Sequence, residues 1–223
     1  LPVLSATRPD EAATISGIDV SRATSASEKA RELSGVDSGH FVLIPQAEQL
    51  SNPDAIITFE RRGTSGLLGN YARSLAGLDN GDSARFRFVF WELPRRTPDW
   101  VWQTNAVKST TMFAGSEHVL HWENGEGGLI ECPGARLSNV GAWGSDGVYV
   151  ARMNSLPATL CLGSAWDRNG AMIVPKDPAY LPAIWAFCAS SGFRPAVRTL
   201  NQKLCVAEAT FEKVGFDFDH WQK

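Results

Sequence analysis

The spacing of apolar and polar residues changes along the chain, and the predicted elements change with it. Near the start, Ser25 followed by Glu28 has the spacing of a capping box, which predicts a helix through about Leu33. His40 to Ile44 is a short apolar run closed by Pro45, which predicts a strand. Leu67, Leu68, Tyr71 and Leu75 recur at helical spacing and predict a helix over residues 67–76 with its apolar side in the core. A glycine-rich turn follows at residues 77–82. Beyond it the period falls to two. Phe86, Phe88 and Phe90 alternate with Arg85, Arg87, Val89 and Trp91, predicting a strand over residues 85–92 with a core face and a face of arginine and aromatic surface.

From Trp100 to Pro175 the apolar runs are short and broken by Gly, Asn, Asp and Pro. Strands are predicted at residues 110–113, 118–122, 148–152, 158–162 and 172–174, which suits a curled sheet or partial barrel. The end of the chain turns helical. Pro182 fits the first turn of a helix through about Cys188, Gly192 breaks it, and Pro195 starts a second helix through about Leu204. The expected fold is α+β. A mixed α/β segment over residues 1–76 precedes a β-rich domain with C-terminal helices over residues 77–223.

Composition narrows this only a little. With 43% hydrophobic and 20% charged residues, the 223-residue chain is globular rather than disordered. A net charge of −3 counts mildly against nucleic acid, although local clustering of Lys and Arg decides that question. No stretch approaches the roughly 20 apolar residues of a membrane span. Cys132, Cys161, Cys188 and Cys205 form no CxxC pair and no cluster with zinc-ligand spacing, which points to a reduced, cytoplasmic protein. The first residue is Leu1 rather than Met, and the chain reads as a piece of a larger polypeptide.

No catalytic set is visible: there is no GxSxG, P-loop, HExxH or GxGxxG. Asn52-Pro53-Asp54 lacks the second proline and the aromatic of an adenine-methyltransferase motif and reads as a turn. The turn Gly77-Leu78-Asp79-Asn80-Gly81-Asp82 has two readings. Its glycines let the backbone approach a partner and its aspartates orient an arginine or accept from base amines, or it is a tight connection capped by its own aspartates. Arg61-Arg62 and Arg95-Arg96 fall in loops and suit phosphate contacts, or are solvated loop charge. Of eight tryptophans, Trp91, Trp100, Trp102, Trp122, Trp143 and Trp166 lie in the β-rich half, where they stack on an unstacked base or a sugar ring or simply pack.

Tyr71-Ala72-Arg73-Ser74, Gly77-x-Asp79-x-Gly81-Asp82-x-x-Arg85-Phe86 and Phe90-Trp91-Glu92 occur in that order. They resemble a stretch downstream of the catalytic core in Eco57I-like adenine-N6 DNA methyltransferases of type IIG restriction–modification and BREX-type phage defence. The family's Gly-x-Thr-Gly-Asp-Asn-x-Arg-Phe is met here only in part, by Asp79-Asn80-Gly81-Asp82-Ser83. Trp122-Glu123-Asn124-Gly125, Gly141-Ala142-Trp143, Arg152 and the segment from Leu181 to Trp221 resemble later parts of the same family, so the likeness covers roughly residues 50–221.

The resemblance implies a TaqI-like target-recognition domain that grips double-stranded DNA beside the catalytic methyltransferase domain of the same polypeptide. S-adenosylmethionine is implied for that parent enzyme, while this fragment is expected to bind no cofactor or metal and to have no catalytic residue. Arg61, Arg62, Arg85, Arg95 and Arg96 are then the expected DNA contacts. Gly77, Asp79, Asn80, Gly81 and Asp82 shape the turn, and Trp122 and Trp143 stack on bases or rings. Two other classes stay open: a tryptophan-rich carbohydrate- or ligand-binding β domain, and a scaffold that docks a subunit of a defence complex.

Overall fold

The computed structural model describes residues 10, 12–20, 23, 25–34, 41–50, 52, 55–59 and 66–223. The chain divides into two compact units, Leu1–Arg62 and Gly63–Lys223.

In the first unit, β1 (Thr14–Gly17) pairs antiparallel with β2 (Val42–Pro45), and α1 (Ala26–Ser34) lies between them in sequence. The capping box forms. Ser25 Oγ accepts from Glu28 N at 3.2 Å, and Glu28 Oε2 accepts from Ser25 N at 3.2 Å, so two N–H groups at the helix start gain partners. α2 (Gln46–Gln49) follows β2 directly. Asn52 Nδ2 donates to Gln49 Oε1 at 2.9 Å and to Ile56 O at 2.7 Å, which folds the chain back on α2. Pro53 and Asp54 lie outside the described residues.

The second unit is mixed α and β, with two four-stranded sheets, C-terminal helices and no closed barrel among the described residues. The expected helix over residues 67–76 is absent. A 3-10 turn at Leu68–Asn70 leads into β3 (Ala72–Ala76), which belongs to the second unit's first sheet. The helical spacing of the leucines is overridden because β3 pairs along its whole length with a strand about a hundred residues later in the chain.

The predicted strand over residues 85–92 is also shorter than expected. Asp82 Oδ1 accepts from Arg85 N at 3.2 Å and caps α3 (Ser83–Phe86), so extended backbone resumes only at β4 (Arg87–Val89), before a 3-10 turn at Phe90–Glu92. α3 turns Phe86 into the core, away from Phe88.

β5 (Trp100–Thr104), β6 (His118–His121), β7 (Gly147–Ala151), β8 (Ala158–Cys161), β9 (Ala165–Trp166) and β10 (Gly170–Pro175) complete the strands. Residues 110–113 form no regular strand, although Thr111 N donates to Ala158 O and Leu160 N donates to Met112 O along the edge of β8.

The first sheet has the order β3-β10-β7-β8 and is antiparallel throughout. Its strands alternate between two cores. Val148, Val150, Ala158, Ala171 and Ile173 face a large cluster, while Tyr149, Cys161 and Met172 face a smaller one with Trp166. α4 (Leu181–Ala189), α5 (Phe193–Leu200), α6 (Ala209–Glu212) and α7 (Phe218–Trp221) supply Ile184, Phe187, Phe193, Val197, Phe211 and Trp221 to the large cluster. Pro182 and Pro195 sit in the first turns of α4 and α5, and α5 ends at Leu200 rather than near Leu204. The second sheet, β4-β6-β5-β9, is antiparallel except for the β5–β9 pair.

Candidate nucleic-acid interface

Register divides the second sheet into two unlike faces. Arg87, Leu120 and Val101 are cross-strand partners on one face. Phe88, Val119 and Trp102 are partners on the other, which Trp100 and His121 continue. The first face carries Leu120 and Val101 into a core with Leu78, Phe86, Leu129 and Ala165. The second bears half-buried rings that belong to none of the three buried clusters.

Those rings form two connected rows. Phe88 meets Trp100 edge-on at 5.4 Å, and Trp100 lies 4.4 Å from the His121 ring. Phe90 meets Trp91 at 5.0 Å and Trp102 at 5.7 Å. Phe90 is 48% and Trp91 63% exposed, so this end of the face is open to solvent. Contiguous exposed aromatic surface of this kind marks an interaction site more often than a random surface does.

Arg95 and Arg96 are exposed in the loop between the Phe90–Glu92 turn and β5, and Arg96 borders these rings. Arg96 Nη1 donates to Trp100 O at 3.0 Å, and its guanidinium carbon lies 5.7 Å from the Trp102 ring centroid. Glu117, whose carbonyl accepts from Phe90 N at 2.9 Å, is exposed at this edge, while three other nearby carboxylates have partners within the protein. Glu92 Oε2 accepts from Val89 N, Asp99 Oδ2 accepts from Thr97 Oγ1, and Glu123 lies 3.5 Å from His121 Nδ1.

The turn at residues 77–82 is a junction inside the fold. Leu78 N donates to Trp166 O and Arg168 N donates to Leu78 O, both at 2.9 Å. Asp79 and Arg136 exchange backbone hydrogen bonds at 3.0 and 2.7 Å. The approach that Gly77 permits is to the chain's own Asp167 carbonyl. Asp79 Oδ2 pairs with Arg168 Nη1 at 2.9 Å, and that hydrogen bond holds the Asp79 carboxyl below its ordinary pKa against the opposing effect of burial. Asn80 is buried and its Oδ1 accepts from Ser83 Oγ. Gly81 adopts a φ of 70°. The turn's polar groups are thus engaged within the protein.

Arg85 is exposed on α3, with its guanidinium carbon 4.8 Å from the Phe86 ring centroid. Trp122 and Trp143, expected as stacking platforms, meet each other edge-on at 4.9 Å and pack against the Leu78–Phe86–Leu120 core. Trp122 follows β6 directly and opens the 3-10 turn at Glu123–Gly125, and its ring is packed against the Leu120 core. Arg61 and Arg62 lie outside the described residues. The open face is instead built by Phe88, Phe90, Trp91, Trp100, Trp102 and His121. Tryptophan content alone flagged three of these, and period two at β5 (Trp100 and Trp102 alternating with Val101 and Gln103) is the signal that pairs two of them.

The covered face ends in polar residues. Gln103 is 1% exposed with Oε1 unpartnered, and buried His118 Nδ1 opposite it is also unpartnered. Burial, and next the Arg87 charge, lower the His118 pKa, which keeps the imidazole neutral at neutral pH. Among the described residues, no group of three or more His, Cys, Asp or Glu side chains is placed to hold a metal ion. No helix among them is long and apolar enough to cross a membrane.

No protein-family model matches the chain, and no curated protein matches it.

Proposed function

We propose that this chain recognises double-stranded DNA as the target-recognition part of an adenine-N6 DNA methyltransferase or restriction–modification protein. The observation that carries this reading is the open face of β4, β6 and β5, where five aromatic rings and one imidazole form two rows, with Arg96 over Trp102 and Arg95 exposed before it in the same loop. Rings supply apolar contact to base edges and sugars, and the loop arginines supply bidentate contacts to phosphate oxygens. The ordered motif resemblance over roughly residues 50–221 adds the enzyme class. Methyl transfer and S-adenosylmethionine binding belong, in this reading, to a catalytic domain of the parent polypeptide, since this sequence has no Asn-Pro-Pro-aromatic motif.

The test is fluorescence anisotropy of a labelled duplex against salt. Binding should weaken steeply as salt rises, and replacing Arg95 and Arg96 together by glutamine should reduce the log–log slope by roughly 1–2. Absence of salt-dependent DNA binding at low ionic strength would sink the reading. A second reading, carbohydrate binding, draws support from the same open tryptophans. It expects glycan affinity that persists at high salt and is unaffected by the arginine changes.

A further inference from the structure

The geometry points to a second binding site, on the covered side of the sheet formed by β4, β6 and β5, for a phosphate that keeps an acidic hydrogen: inorganic phosphate or the monoanion of a phosphomonoester. Gln103, His118, Arg87 and Asn105 build it. It stands apart from the DNA-recognition reading, which uses the opposite face.

Two buried atoms there lack partners. Gln103 is 1% exposed and its Oε1 accepts no hydrogen bond, and His118 Nδ1, across the β5–β6 ladder from it, makes none. Unpaired polar atoms at such depth are costly, so a molecule that answers both is favoured there.

Arg87 closes over this pair. It is opposite Leu120 on β4, while Asn105 follows β5 on the far side of β6. Arg87 Nη1 nevertheless donates to Asn105 Oδ1 at 3.4 Å, so the side chain crosses β6 at the level of His118. After burial, the Arg87 charge is the largest cause that holds the His118 imidazole below its ordinary pKa. Asn105 Nδ2 donates to Gln103 O at 3.2 Å, which leaves its Oδ1 turned to Arg87. Among the described residues the rest of the guanidinium meets no acceptor, and Arg87 joins none of the ion pairs.

The acids that act on His118 are placed elsewhere. Glu117 is paired through its carbonyl with Phe90 of the open face, Glu92 accepts from Val89 N, and Asp167 accepts from Tyr149 and Asn169. Arg87, Val89 and His118 are half-buried, so the mouth of the site is at the surface.

These groups select the ligand. The free guanidinium N–H groups call for an oxyanion. Gln103 Oε1 calls for a hydrogen that the ligand supplies. Sulfate, carboxylates and the phosphodiesters of DNA have none to give at neutral pH. Inorganic phosphate keeps one, and a phosphomonoester keeps one below its second pKa of about 6. A water molecule answers Gln103 and His118 but not the charge of Arg87.

The experiment uses the full chain near pH 6 at constant ionic strength, with inorganic phosphate, phenyl phosphate and sulfate as probes. Calorimetric titration measures binding. Imidazole proton NMR follows His118, with His118→Asn to assign its signals. Phosphate should bind saturably and raise the His118 pKa, because a bound anion favours the imidazolium, and sulfate should bind at least about tenfold more weakly. Phenyl phosphate binding that fades as pH rises past about 6 assigns a phosphomonoester, whereas phosphate binding without it assigns the free ion. Arg87→Gln should weaken phosphate binding about tenfold or more. Gln103→Met keeps the volume and removes the acceptor, and it should bring phosphate down to the level of sulfate. Thermal melting by circular dichroism checks both variants, and half-buried Arg87→Gln carries the test if Gln103→Met does not fold. Sulfate binding as tight as phosphate, a His118 signal that phosphate does not move, or phosphate affinity unchanged in Arg87→Gln overturns the inference.

Discussion

Replacing Gly77 by alanine tests the junction that joins the two sheets. A Cβ there would lie 2.0 Å from Asp167 O, 2.2 Å from Asp167 C and 2.7 Å from Arg168 N. All three are backbone atoms, which have no rotamer to give way. Ordinary contact begins near 3.4 Å, so the end of β3 and the segment after β9 must separate by more than about an ångström. That separation stretches the hydrogen bonds from Leu78 N to Trp166 O and from Arg168 N to Leu78 O, both 2.9 Å. Overpacking costs roughly 1–3 kcal/mol, and each weakened backbone bond costs about 1 kcal/mol. The expected loss is about 3 kcal/mol, a large part of the roughly 5–15 kcal/mol that holds a domain together.

Urea unfolding followed by tryptophan fluorescence measures this loss, with the m-value as the check that the same surface unfolds. Gly141→Ala is the matched control. No atom lies within 4 Å of its added Cβ and its φ is not in the left-handed region, so its stability should stay within about 0.5 kcal/mol of wild type. A Gly77→Ala protein as stable as that control would refute the account of the turn as an internal junction.

The remaining predictions concern the core and the ionisable groups. Phe211→Ala removes a fully buried ring stacked on Phe193 at 6.0 Å and should cost about 3–5 kcal/mol in the same unfolding assay. Burial pushes the Cys161 and Cys188 thiols up, while Cys205 is exposed and Cys132 half-buried. A thiol-reactive chromogen should therefore label two cysteines quickly in the native protein and all four only after denaturation, and four fast thiols would contradict the packing. Asp79 is held below 3.8 in the folded state, so its pair with Arg168 stabilises above that pH and the contribution is lost as pH falls through the folded value. Both partners are more than a third exposed, so Asp79→Asn should cost no more than about 1 kcal/mol at neutral pH, with the difference from wild type shrinking below pH 3.8. Tyr149→Phe removes the hydroxyl that donates to Asp167 Oδ1 in the interior and should cost about 1–3 kcal/mol by thermal or urea unfolding.

The elements legible from sequence are those whose causes lie within a few residues. Ser25 and Glu28 cap each other across one helical turn, and Pro182 and Pro195 need only the absence of an N–H partner at a helix start. Short strands at residues 118–122, 148–152 and 158–162 are legible because turn residues bracket short apolar runs. The segment at residues 67–76 failed this test. Its leucine spacing satisfies a helix, but β10 supplies a ladder of pairings from Ala72 to Ala76 that no local signal announces.

The candidate surface divides in the same way. Local chemistry marked Arg95 and Arg96 as loop charge and the tryptophans as ring-bearing, and period two assigned alternate residues of a strand to opposite faces. Which face stays open was decided by the tertiary structure. Leu78, Phe86, Leu129 and Ala165, from four separate segments of the chain, cover the Leu120 side of the sheet, and Trp122 and Trp143 are drawn into that packing. Trp100, Trp102 and Phe88 stay outside the buried clusters because they alternate with the covered positions. Alternation is a property of the strand itself, whereas cover depends on what the rest of the chain brings to each side. The sequence by itself thus determined the local caps and turns, the rings and the arginines, and the packing of Leu78, Phe86, Leu129 and Ala165 on one side of the second sheet decided which rings face solvent together.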